Sequence, residues 1–260
     1  MTHYALVTGA SSGMGLIYAE ALAARGYQLL MVSNQEKELT MAAERLAARY
    51  QIRAIAHYQD LATSEAADEL YRYCQEENLD IEVLVNNAGM FFFKELSSED
   101  IGRGQALMNL HIVTVTRMCL LFGEDMKRRG SGYILIVSSL AAMLPVPGIT
   151  LYAASKAYLK SFGKSLYFEM RPYGVGVTTV CPAAVATPLY GLKPKLMKLG
   201  VKVGAIKTPQ WLVKRALRGM FRHRPVVRPG LQNYYLPPLI IGMPRRLESW
   251  IWGRLKGKLK

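Results

Sequence analysis

The order of its apolar segments constrains this chain most: short strand-like runs alternate with longer helix-like ones from the first residues onward. Tyr4 to Thr8, Tyr27 to Ser33, Ile52 to Tyr58, Ile81 to Val85, Tyr133 to Ser138 and Val175 to Cys181 read as strands, with Val226-Val227 as a seventh. Between them, Met14 to Arg25, Glu36 to Tyr50, Ser64 to Glu77, about Gln105 to Arg129 and Thr150 to Arg171 carry helical patterns. Gly26 stops the first helix, Pro172 the last, and Ser64 is placed to cap the third. Apolar strands alternating with helices predict a parallel sheet covered on both faces, a doubly wound α/β architecture. With no linker, repeat or low-complexity stretch before residue 189, residues 1–260 read as one domain, an ordinary size for a single core. Ligands in such a sheet sit beyond the carboxyl ends of the strands.

The first strand runs directly into Gly9-Ala10-Ser11-Ser12-Gly13-Met14-Gly15 and a helix. Glycines allow the tight turn and let the backbone approach a pyrophosphate, while the helix N-terminus offers free N–H groups. A tight turn alone would need the same residues, but its place after a first strand favours a dinucleotide site. Farther on, Tyr152 and Lys156 stand at i and i+4 near a helix start, sharing one face. A phenol with a pKa near 10 is a poor base at neutral pH. A unit positive charge about 4 Å away, at an effective dielectric of 20, contributes at most ~4 kcal/mol, roughly three pKa units. That would bring the phenol into the range of efficient acid–base work. Ser139, at the end of the fifth strand, can offer a hydroxyl to a substrate carbonyl oxygen. Ser138 is its rival, expected to face the other way because strand side chains alternate.

These motifs, in this order and spacing, resemble the short-chain dehydrogenases/reductases in their compact single-domain branch, from Ala5 to about Pro188. The resemblance implies a Rossmann-like fold and hydride transfer between a nicotinamide cofactor and a ketone or secondary alcohol. It implies catalytic roles for Asn109, Ser139, Tyr152 and Lys156. Ser139 lies 13 residues before Tyr152, as in the family's pair. Cofactor contacts are implied at Gly9, Ser11, Ser12, Gly13, Met14 and Gly15, at Asp60 and Leu61, and in Asn86-Asn87-Ala88-Gly89 through Asn87, Ala88 and Gly89. Tyr152 and Lys156 would touch the cofactor too, with Pro182, Val185 and Thr187 in a Pro-Gly-x-x-x-Thr-like segment where Ala183 replaces the glycine. The resemblance further implies a homodimer or homotetramer built on the long helices. His111 is read as structural. The alternative is a catalytically silent cofactor-binding or scaffold protein of the same fold, against which the intact Ser139, Tyr152 and Lys156 set argues.

Cofactor choice is read at Ser33 and Asn34, ending the second strand. An acid there would bind the ribose 2′-hydroxyl and repel a 2′-phosphate. None is present, and Lys37 follows, so NADP(H) is favoured over NAD(H).

The net charge of +14 is unevenly distributed. From Leu189 to Lys260 there are 17 Lys and Arg against one acid, Glu248, whereas the preceding residues hold 16 basic and 18 acidic ones. Residues 189–225 are expected to cover the substrate, and their Leu, Val, Ile and Met content with Trp211 points to an apolar or bulky, lipid-like one. In the basic tail, 244–260, Leu247, Ile251, Leu255 and Leu259 recur every four residues beside Trp250, a pattern for an anionic membrane surface or for docking on protein. No motif for reading nucleic acid accompanies these charges, so no nucleic-acid partner is expected. No apolar run approaches the ~20 residues of a membrane span, and the start carries no secretory pattern. Cys74, Cys119 and Cys181 are scattered and off metal-ligand spacing; they read as reduced, buried side chains, and no metal is expected. Together these features predict a cytoplasmic chain able to associate with a membrane surface.

Overall fold

A computed structural model of the protein describes residues 3–144, 146–183, 185 and 206–256. Seven strands form one parallel sheet in the order β3-β2-β1-β4-β5-β6-β7. They are β1 (Tyr4–Thr8), β2 (Gln28–Ser33), β3 (Ala54–Tyr58), β4 (Ile81–Asn86), β5 (Gly132–Val137), β6 (Val175–Val180) and the two-residue β7 (Val226–Val227). Strand order reverses between β1 and β4, which opens a crevice at their carboxyl ends.

The strands' period-two alternation explains the two layers of core. Ala5 and Val7 of β1 join a cluster with Tyr18 and Leu22 of α1 (Gly13–Ala23) and Leu39 and Leu46 of α2 (Glu36–Tyr50). Tyr4 and Leu6 face the opposite cluster. It holds Leu70 of α3 (Ala66–Glu76), Phe122 of α5 (Thr114–Arg129) and Leu159 and Leu166 of α6 (Thr150–Met170). All three cysteines are buried and free.

Three local expectations are corrected. Ser64 does not cap α3: its hydroxyl bonds the neighbouring Glu65 carboxylate, and Glu65 takes the N-cap position. The single helix expected from Gln105 is interrupted. A short turn (Ser98–Asp100) leads into α4 (Ile101–Met108), and a π-helical turn (Asn109–Val113) separates α4 from α5. Such bulges rotate the following side chains, and they recur at functional sites. The stretch Ser98–Arg129 is long and apolar enough to cross a membrane, but half of its apolar window is buried within the fold, as in a core helix. Lastly, part of 189–225 does not cover the crevice. α7 (Pro209–Met220) buries Leu212, Val213, Ala216, Leu217 and Met220 and packs against α1, because its apolar residues recur on one helical face. Trp211 lies between the cations Lys207 and Arg215. The chain continues through α8 (Gln232–Ile241), which contains Pro237 and Pro238, to α9 (Arg245–Lys256).

Candidate active site

The crevice above the β1/β4 switch is a cleft of about 420 Å³. Its floor is built by backbone that has no room for side chains. Gly9 adopts φ +65°, which favours glycine, and a Cβ on Gly15 would lie 1.9 Å from the Gly9 carbonyl oxygen. The second loop is tied to this turn. The Thr8 hydroxyl accepts from the N–H groups of Asn87 and Ala88, both at 2.9 Å, and the Asn87 carboxamide donates to the Thr8 carbonyl at 2.9 Å. Ser12 at the N-cap makes no side-chain cap, and no acid occupies the first turn of α1, so that helix end keeps free N–H groups and a positive dipole. The Asn87 Oδ1 is buried without a partner. A close glycine floor, an open helix N-terminus and an orphaned acceptor fit a pyridine dinucleotide.

Nearly all of the sequence-predicted cofactor residues meet in this cleft. Gly9, Ser11, Ser12, Gly13 and Met14 line one end, Ser33, Asn34, Asp60 and Leu61 the side, and Asn87, Ala88 and Gly89 the floor. Tyr152, Lys156, Pro182 and Val185 line it as well. Gly15 lies just beneath, against Gly9. Thr187 falls outside the described residues. The Ser33 hydroxyl bonds Ser11 Oγ at 2.9 Å and accepts from the Gln35 N–H at 3.3 Å. Asp60 accepts from the Ala62 N–H at 3.0 Å. Lys37 is exposed on α2 and does not line the cleft.

At the inner end, α6 presents two buried groups. Lys156 Nζ lies 5.6 Å from the Tyr152 ring centroid and donates to the Val137 carbonyl at 3.0 Å. Burial pulls the Lys156 ammonium down to about 8, so most of it still carries a proton at pH 7. The two serines divide by what their hydroxyls do. Ser138 lines the cleft, yet its proton is committed to the Lys156 carbonyl at 2.7 Å. Ser139 caps the turn Leu140–Met143, its Oγ accepting from the Ala141 N–H at 3.1 Å. That bond uses a lone pair, and among the described residues the Ser139 hydroxyl hydrogen has no acceptor, although Ser138 and not Ser139 lines the cleft.

Asn109 is not brought to this group. Its carboxamide donates to the Ala62 carbonyl and accepts from Gln105, both at 2.9 Å, and Leu110 lines the cleft instead. A π turn spans Asn109–Val113 at this point. The group that arrives there is His111, a residue the sequence reading treated as structural. It is fully buried, its ring centroid 5.9 Å from that of Tyr152. Its Nε2 accepts from the Met90 N–H at 3.0 Å, so the proton of the neutral ring sits on Nδ1 and is donated to Ser155 Oγ at 2.9 Å. Ser155 in turn donates to the Tyr152 carbonyl at 2.8 Å. Burial, then the Lys156 charge, hold the imidazole well below its usual pKa. His111 thus joins the loop after β4 to the helix bearing Tyr152. Nothing in the sequence but the proximity of His111 to Asn109 pointed to it.

A model of the short chain dehydrogenase family matches residues 3–195. The chain belongs to that family. This short-chain dehydrogenase is 31% identical to the very-long-chain 3-oxoacyl-CoA reductase of Homo sapiens over 258 residues, 96% of this chain and 77% of that protein. Among solved structures it resembles a short-chain dehydrogenase from Sphingobium yanoikuyae in complex with NADPH (TM-score 0.80, 28% identity, 96% of each chain). It also resembles the bulky-bulky ketone specific alcohol dehydrogenase of Comamonas testosteroni (TM-score 0.77, 27% identity, 98% of this chain and 92% of that one). The chain is accordingly an oxidoreductase of small molecules in a family that uses NAD(P).

Proposed function

We propose that this short-chain dehydrogenase reduces the keto group of a long-chain 3-oxoacyl thioester or similarly apolar ketone with NADPH, and that Ser139, Tyr152 and Lys156 carry the proton chemistry. The carrying observation is the burial of Tyr152 and Lys156 side by side in a cleft otherwise lined by dinucleotide-fitting residues. When bound, the cofactor supplies the hydride. Ser139 donates its free hydroxyl hydrogen to the substrate oxygen, and Tyr152 delivers a proton to that same oxygen. Lys156, protonated at neutral pH, stabilises the tyrosinate left behind. Asn109 was the fourth member implied by the resemblance; its carboxamide bonds favour a role in holding the loop after β3.

Three finer readings accompany this one. NADP(H) is preferred because no acid faces the cleft at the end of β2, and a bound 2′-phosphate would meet Asn34 and Gln35 there. Exposed Leu120 on α5 and Tyr158 and Phe168 on α6 support a homodimer or homotetramer through those helices. A peripheral membrane contact is supported by Leu231, Tyr234, Tyr235, Leu239, Ile241, Leu247 and Trp250, all exposed in the last thirty residues among mostly basic charges. Leu255's side chain and Leu259 fall outside the described residues.

The test is turnover of medium- and long-chain 3-oxoacyl thioesters with NADPH and with NADH. Tyr152→Phe should lower kcat by 10²- to 10⁴-fold while NADPH fluorescence titration stays unchanged. A variant retaining a tenth of the activity would remove Tyr152 from the chemistry.

A further inference from the structure

A second cavity, of about 590 Å³, lies along α6 and shares no lining residue with the cofactor cleft. Ala157, Lys160, Ser161 and Lys164 form one of its walls, at the i, i+3, i+4 and i+7 spacing of a single helical face. Arg228, just past β7, and Tyr234 of α8 form the opposite wall, and Ala142 of the turn capped by Ser139 closes the end nearest the active site. Among the described residues, three cations and two hydroxyls thus line the cavity without an acid.

The charges are unspent. Among the described residues, Lys160, Lys164 and Arg228 form no ion pair. Three uncompensated cations around a concavity raise the local concentration of anions. Ammonium groups and a guanidinium fork beside hydroxyls are the donor set for phosphate oxygens.

Distance supplies the second constraint. From Tyr152, Lys160 and Lys164 lie eight and twelve residues along α6, roughly 12 and 18 Å at 1.5 Å per residue. A ligand reaching both places needs a keto group at one end, phosphates at the other and a long flexible arm between them. We propose that this cavity holds the phosphate groups of the coenzyme A portion of a 3-oxoacyl thioester whose keto group lies at Tyr152. The inference rests on the thioester reading above and adds to it a second anchoring point. The acyl chain is then free to extend in the other direction, and the nucleotide end fixes the register of the carbonyl.

The test compares two substrates with one 3-oxoacyl group, the coenzyme A ester and the N-acetylcysteamine ester, on the full chain with NADPH. In wild type, KM for the coenzyme A ester should be at least tenfold lower and should rise with salt, and adenosine 3′,5′-bisphosphate should compete with it. In Lys164→Glu, and in the milder Lys164→Gln/Arg228→Gln, that KM should rise five- to fiftyfold with kcat within twofold. KM for the N-acetylcysteamine ester should stay within twofold. Equal KM values for the two esters in wild type, or equal losses on both in the variants, would overturn the proposal while leaving the reductase reading intact. Reduction of neither ester, with turnover of other ketones, would overturn the thioester reading itself. Loss of binding to phosphatidylserine vesicles in the variants, with the ester preference unchanged, would reassign the cavity to a lipid headgroup.

Discussion

The strands β1, β2, β4, β5 and β6 bury almost every side chain they own, whereas residues 231–256 leave Leu231 at 80% and Tyr234, Leu239 and Ile241 each at 63% of full exposure. The two regions also differ in charge, near balance before Pro188 and strongly basic after it. The first region is determined from within: each element satisfies its neighbours, and the cleft is a by-product of where the strand order reverses. The second has apolar groups and cations in excess of what the protein itself uses. The first region frames the cofactor cleft and the second leaves apolar and basic groups exposed, so substitutions in each should fail in different ways.

The largest effect is expected where the cofactor region has no slack. Gly15→Ala would put a methyl 1.9 Å from the Gly9 carbonyl and within 2.7 Å of the Asn87 carboxamide. Both loops of the cleft floor would have to move. NADPH affinity should fall at least a hundredfold, and thermal denaturation should show a loss of about 1–3 kcal/mol or more. Binding within fivefold of wild type would show that the turn is not the pyrophosphate floor.

Next comes the buried histidine. His111→Phe would leave the Met90 N–H without its acceptor and Ser155 without its donor, at about 1–3 kcal/mol for a stranded buried group. Loop and catalytic helix would lose register, and kcat should fall about ten- to a hundredfold with KM changing less. His111→Gln can place an acceptor and a donor in the same order and should recover most of the loss. The folded pKa of His111 lies below its unfolded value, so the unfolded chain takes up the proton first. Stability from this group is therefore present above about pH 6.5 and is lost as pH falls. The Gln variant should lack that component of the acid transition in urea titrations. Parallel acid curves for the two proteins would exclude this role.

Lys156 gives the same sign in a higher pH window. Its folded pKa of about 8 lies below the unfolded value near 10.5, so burying the ammonium costs stability fully below pH 8 and progressively less up to about 10.5. Lys156→Met should abolish turnover yet leave the apo protein as stable at pH 7 or more so by about 1 kcal/mol. The lost bond to the Val137 carbonyl offsets part of the relief. That difference should shrink as pH rises to 10. A variant destabilised by several kcal/mol at pH 7 would show the bond to dominate over burial.

How much of this was legible differs between the regions for physical reasons. All seven strands, the sheet's parallel sense and the cofactor cleft follow from short-range signals: apolar runs, glycines at a fixed turn, and residues four apart on one helix. The π turn at Asn109–Val113 was not legible, because one extra residue in a helical turn changes no composition or period that a sequence displays. Beside that turn, the Asn109 carboxamide bonds Gln105 and the Ala62 carbonyl, and His111 packs beside Tyr152. In the C-terminal quarter, α7 reads equally well as a lid or as a core helix, since both need one apolar face. Only the tertiary contact with α1 decides between them. Likewise the Leu236 to Met243 run reads as too short to span a membrane, and its outward-facing partners Leu231 and Tyr235 become visible only once α8 is placed.

The smallest effect on chemistry, and the sharpest test of the comparison, comes from ending the chain before Pro244. α9 contributes exposed Leu247 and a Trp250–Arg254 stack at 4.3 Å, and none of its described side chains lines the cofactor cleft. Turnover of a short, water-soluble ketone should change by less than twofold. Binding to vesicles containing phosphatidylserine should fall by about 3- to 30-fold, whereas binding to neutral vesicles should be weak for both proteins. The cationic and apolar contributions act together, because each Lys or Arg near an anionic surface adds about 1 kcal/mol and falls off within a Debye length. Raising the salt should therefore narrow the difference between full and shortened chains. α8 retains its own exposed residues in the shortened chain, so residual binding that vanishes in Leu239→Glu would place the contact across both helices. If shortening slowed the soluble ketone tenfold, the two regions would be one functional unit and the contrast drawn between them would fail.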